Sequence, residues 1–118
     1  MANPNIVNVA TINGKTDVFA LTTSSANLVT ATANTVFKIN SILISNVDGT
    51  NAADVTINYH DGSNARAIAS TISVPADASL SLIDKNNGFY LEETEIIQGL
   101  ASANSDLEAL ISYEIIAD

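Results

Sequence analysis

The chain has 118 residues, 47% apolar and 14% charged, with thirteen acidic against four basic side chains and a formal net charge of −9. That length suits one domain with one core, no stretch approaches the ~20 consecutive apolar residues of a membrane helix, and the acidic balance repels phosphate backbones and anionic bilayers. Neither nucleic acid nor a membrane is therefore an expected partner, and the absence of cysteine excludes disulfide frameworks, thiolate metal sites and cysteine nucleophiles.

The opening residues 1–14 lack the basic and hydrophobic stretches of a secretory leader. They carry Ile6, Val7, Val9 and Ile12 ahead of Asn13 and Gly14, a turn signal, and predict an edge strand or an extended arm. Two short strands follow, Val18 to Leu21 and Leu28 to Ala31. From Val36 to Val47 the alternation places Phe37, Ile39, Leu43 and Val47 on one face. Ile42 and Ile44 break it, which predicts a bulge or burial on both faces. Two Asp-Gly turns, Asp48 to Asn51 and Asp61 to Asn64, punctuate the run from Thr35 to Ser73, which reads as a meander of consecutive antiparallel strands.

Val55, Ile57 and Tyr59 alternate with Thr56, Asn58 and His60 at a clean period of two. Ile68, Ile72 and Val74 share one face of the next predicted strand with Thr71 and Ser73 opposite, and Pro75 ends it because it has no N–H to donate. Leu80 and Leu82 alternate with serines. Asn86, Asn87 and Gly88 predict a turn at positive φ, and Phe89 and Leu91 begin another strand. Ser105 to Glu108 resembles a helix capping box, and Leu107, Leu110, Ile111 and Ile115 fit a helical stripe. Period two fits too, through Leu107, Ala109, Ile111, Tyr113 and Ile115, and the strand is the preferred reading. The sum is an all-β fold: residues 1–118 as a single antiparallel β-sandwich of about eight strands, jelly-roll-like because no cysteine pair or tryptophan supports an immunoglobulin domain.

Candidate chemistry is sparse. His60 is the sole histidine, and Asp61 beside it projects to the opposite face of an extended strand, which argues against a catalytic dyad. Glu92, Glu93 and Glu95 form the densest acidic cluster, but neighbours on one strand give no opposed carboxylates for glycoside hydrolysis, so they read as a solvated strand end guarded by charge. Asp48, Asp54 and Asp61 lack the spacing of a calcium loop. Aromatic residues are only 5% of the chain and tryptophan is absent, which weakens sugar and single-strand recognition by stacking. No catalytic residue, no metal and no cofactor is expected, and the chain is read as a non-enzyme.

Thr35 to Ile42 (TVFKINSI), Asn46 to Ile57 (NVDGTNAADVTI), Thr71 to Leu80 (TISVPADASL), Phe89 to Glu93 (FYLEE) and Ala101 to Glu114 (ASANSDLEALISYE) resemble segments of small structural proteins of tailed phages, of the marine and cyanobacterial type. The resemblance covers about residues 35 to 118 and departs from the family pattern at Thr94, where glycine often follows the Glu-Glu pair. It implies a β-sandwich virion component, in the first instance a capsid decoration or cement protein. The expected partners are the major capsid protein of the phage head and further copies of the chain in a homotrimer. The expected location is the outer capsid surface after synthesis in the host cytoplasm. The contact residues expected are those of the N-terminal arm, Asn3, Asn5, Ile6, Val7 and Val9, together with the sheet edges. A tail, neck or fibre protein is the alternative within that class, and a carbohydrate-binding module the alternative outside it.

Overall fold

The computed structural model describes residues 4, 5 and 7–117. They form β1 (Thr11–Ala20), β2 (Ala26–Thr30), β3 (Thr35–Asn46), β4 (Ala53–His60), β5 (Ala65–Val74), β6 (Ser79–Ile83), β7 (Phe89–Leu91), β8 (Ile96–Ala101) and β9 (Leu107–Ala117). One sheet has the order β1-β9-β3-β6, with β7 also on β3, and the other has the order β2-β8-β4-β5. All pairings are antiparallel. With the three-residue β7 set aside, the first strand pairs the last, the second the next to last, and so inward to the β4–β5 hairpin. That is the wrapping of a jelly roll, two Greek keys folded over one core.

The core lies between the sheets and is mostly aliphatic. Ile39, Ile42, Ile44, Val55, Ile57, Leu91, Ile97, Leu107, Ala109 and Ile111 have no exposed surface. Each large aliphatic among them contributes about 1.5–3 kcal/mol by leaving water. The alternation in β3 changes parity where its register with β9 shifts between Ile39 and Ser41. Phe37 and Ile39 point inward before the shift, and Ile42 and Ile44 point inward after it. The expected bulge is present, and Leu43 and Val47 consequently face outward.

β4 follows its expected alternation, and residues 107–117 are strand rather than helix, with Leu107, Ala109, Ile111 and Tyr113 buried. Three expectations are corrected. The run from Thr35 to Ser73 is not one meander, because β3 and β4 belong to different sheets and the Asp48–Asn51 turn carries the chain across the sandwich. Asn13 and Gly14 make no turn, since β1 runs straight through them as an edge strand paired to Ile115 and Glu114. Ile72 lies opposite buried Val55 but at the open edge of its sheet, where it stays 37% exposed. β8 carries no signal in the alternation, because two of its inward residues, Gly99 and Ala101, are too small to mark a strand.

Loops sort to the two ends. At one end meet the β1–β2, β3–β4, β5–β6 and β8–β9 connections, tied by Leu21 N–H to Leu107 O (2.9 Å), Val47 N–H to Asp106 O (2.8 Å) and Asp77 N–H to Asp48 O (3.2 Å). Asn46 pins this end. Its buried side-chain amide donates to Val74 O (2.9 Å) and Asn51 O (3.0 Å), joining the end of β3 to the far sheet, while its Oδ1 accepts from Asp48 N–H (2.9 Å). The N-terminal segment, the start of β1 and the end of β9 lie at the other end.

Gly88 does not have the positive φ expected of it. The turn is made by Asp84, whose backbone N–H donates to Asn87 Oδ1 (2.7 Å) and whose Oδ1 accepts from Asn86 N–H (2.8 Å). The glycine is required for space instead: a Cβ there would stand 2.6 Å from the Ile39 carbonyl oxygen. Gly14 has nothing within 4 Å of such a Cβ. Gly88→Ala should therefore lower the unfolding free energy in urea by about 1–3 kcal/mol, and Gly14→Ala should change it by less than ~0.5 kcal/mol. Equal effects of the two would contradict this assignment.

Candidate interaction surfaces

The arm residues open the N-terminal end. Asn3 and Ile6 lie outside the described residues. Asn5 and Val7 are exposed and Val9 is half-buried. Asn5 organises a short turn, accepting Val7 N–H on its Oδ1 and Asn8 N–H on its carbonyl, both at 3.0 Å. Val7 stands 90% exposed on that turn, while Pro4 before it is buried. β1 continues from the arm as a sheet edge with Ile12 and Val18 exposed at 55% and 59%.

That edge is guarded. Lys15 and Asp17 lie opposite Tyr113 and Ile111 on the inward face, 3.8 Å from one another, and Asp17 Oδ2 accepts the Tyr113 hydroxyl at 2.6 Å. Charges pointing inward at an edge oppose addition of another strand. Burial, followed by the Asp17 bond, pushes the Tyr113 phenol above its usual 10.0 and keeps it a neutral donor.

The acidic cluster is not the solvated strand end expected of it. Glu93 is 9% exposed and its Oε2 accepts the backbone N–H of Asn34. Its Oε1 is buried with no hydrogen-bond partner. Around it, Ala31 N–H donates to Glu95 O and Thr94 N–H to Ala31 O, both at 3.0 Å, so the β7–β8 loop is latched to the β2–β3 loop. Glu95 Oε1 accepts Glu92 N–H at 2.8 Å and also the Tyr59 hydroxyl. Burial and then that carboxylate raise the Tyr59 phenol above its ordinary 10.0. Glu93 and Glu95 are structural clamps on one end of the sandwich, and Glu92 is exposed. Sequence reasoning missed Glu93 and Asn46 because a buried polar residue gives no periodic signal; only its partners reveal it.

The remaining polar candidates serve turns. His60 Nδ1 accepts Gly62 N–H at 3.1 Å, and Asp61 Oδ1 accepts Ser63 and Asn64 N–H at 2.9 and 2.8 Å, so the two side chains bond separate groups of the β4–β5 turn and not each other. The Asn64 and Ser63 N–H groups hold Asp61 below the usual carboxylate range, as Thr50 N–H chiefly does for Asp48. Asp48 and Asp61 sit at opposite ends of the sandwich and do not converge on an ion. Among the described residues no group of three His, Asp or Glu side chains is arranged to hold a metal.

No family model matches the chain, and no curated protein matches it in sequence. Solved structures share its fold. A chain of the disulfide-linked pili that form Bacillus endospore appendages superposes with a TM-score of 0.55 at 15% identity, over 92% of this chain and 88% of that one. A chain of the acid-stable capsid of Helicobacter pylori bacteriophage KHP30 superposes with a TM-score of 0.55 at 7% identity, over 92% of this chain and 90% of that one. At such identities the likeness establishes the fold.

Thr94 has φ +69°, a left-handed conformation that strains a β-branched residue. Thr94→Gly should thus stabilise the protein, by about 0.5–1 kcal/mol after the entropy cost of glycine. A urea midpoint that falls on this substitution would show that the loop does not hold that conformation.

Proposed function

We propose that the chain is a structural component of a tailed-phage virion that decorates the outer head lattice. It would bind the major capsid protein and stabilise the shell by linking adjacent subunits, as a homotrimer at symmetry positions. The observation that carries this reading is the complete jelly-roll wrap, shared over nine-tenths of both chains with a phage capsid chain. The guarded edge of β1 directs contact toward the arm and the outward faces rather than toward strand addition.

Binding only the assembled shell stabilises it by RT ln(1 + [L]/Kd), about 2.7 kcal/mol per site at a hundredfold excess over Kd. Charged residues are only 14% of the chain and Asn, Ser and Thr supply much of the other polar surface, which suits such a role because few charges need to be stripped of water on contact. A second reading is favoured by the equal likeness to a pilus chain: a repeating unit of a tail, fibre or appendage. Readdition separates them. Heads stripped of this protein should take up purified chain in proportion to their lattice positions and resist a higher temperature afterwards; heads that bind none would overturn the decoration reading.

A further inference from the structure

The bulge in β3 divides that strand's outer edge between two short partners, with β7 on Phe37 to Ile39 and β6 on Ile42 to Ser45. Where the edge is interrupted, a cavity of about 360 Å³ opens, lined by Tyr59, Ile68, Ile83, Phe89 and Tyr90. Ile83 ends β6 and Phe89 begins β7, while Tyr59 and Ile68 come from the β4 and β5 strands of the opposing sheet. Three of the chain's six aromatic residues converge here. Tyr59 and Phe89 meet edge to face at 5.7 Å, and the Tyr59 hydroxyl is fixed by Glu95, so the walls are set in place. Tyr90 forms part of the rim at 44% exposure.

This socket has a matching knob on the same molecule. Val7 is the most exposed large apolar side chain among the described residues, held on the Asn5–Asn8 turn behind buried Pro4. The Asn5–Asn8 turn precedes β1 at one end of the sandwich, and the depression sits beside the middle of β3. They flank the sandwich on opposite sides, since β1 and the β6–β7 pair occupy the two edges of the five-stranded sheet. The depression is open to solvent and mostly apolar, and is wide enough to receive one aliphatic side chain. Residues 1–14 carry no charged side chain, so this segment can approach another copy of a −9 chain without adding charge to the contact.

We infer that the aromatic socket receives Val7 of a second copy of this chain, a head-to-tail contact between neighbours. Such a contact closes into a ring when the rotation permits and otherwise runs on as a filament. The inference deepens the reading of the chain as an assembling unit by naming the partner of its arm, and it is tested without any head.

Purified protein should self-associate with rising concentration in sedimentation. Val7→Asp at the knob and Tyr90→Asp at the rim should each weaken that association tenfold or more while circular dichroism stays that of the parent. Because the chain has no native cysteine, Val7→Cys and Tyr90→Cys proteins, purified apart and then mixed under oxidation, should form a heterodimer. Val7→Cys mixed with Thr50→Cys, at the opposite end, should form far less. A parent that stays monomeric to about 1 mM, the level of a −4.1 kcal/mol contact, would overturn the inference. So would aspartate variants that associate like the parent, or crosslinking as strong at Thr50 as at Tyr90. A monomer that still coats stripped heads would remove the knob and socket while leaving the decoration reading intact.

Discussion

The structure depends on one change of parity inside β3. Without the shift between Ile39 and Ser41, a strict two-residue period would bury Phe37 and Ile39 at the cost of turning Ile42 and Ile44 to solvent. With it, all four reach the core of a strand that supports β9 on one side and β6 and β7 on the other. The same irregularity interrupts the outer edge, so that β6 and β7 are separate strands. It brings the backbone before β7 against Ile39, where only glycine fits. Core, edge and surface concavity thus share one local cause.

Around that core, polar chemistry is turned inward upon the fold. Asn46 ties the two sheets at one end, and Glu93 with Glu95 clamps the loops at the other. Buried polar groups of this kind cost stability when unpaired and give uniqueness when paired. Apart from Glu93 Oε1 these groups are engaged within the fold, and the exterior presents the guarded β1 edge and the exposed Val7 turn. An acidic chain with few exposed charges per area can be packed densely against a shell with little desolvation.

Legibility followed the physical nature of each signal. The bulge in β3, the alternation of β4 and the strand character of residues 107–117 were readable because side-chain period records burial directly. Strand order was not, since Asp48–Asn51 looks the same whether it closes a hairpin or crosses between sheets. β8 was invisible because Gly99 and Ala101 carry inward positions without bulk. The sequence marks Gly88 as a turn glycine through conformation, whereas the fold requires it for space. Of the surface, Val7 was legible as an apolar residue in an arm, while the aromatic socket was not: Tyr59, Ile68, Ile83, Phe89 and Tyr90 come from four strands and meet only in the fold. The positive φ of Thr94 was not legible either, because a β-branched residue carries no signal for a left-handed backbone.

The proposed role is one of contact, with this jelly roll as one of many copies arrayed on a particle. An electron cryo-microscopy map of the intact particle decides it. Density for this fold is expected at repeated lattice positions on the outer head, its N-terminal end meeting a neighbouring copy. A shell without that density, or the chain confined to an enzyme complex away from the particle, would contradict it.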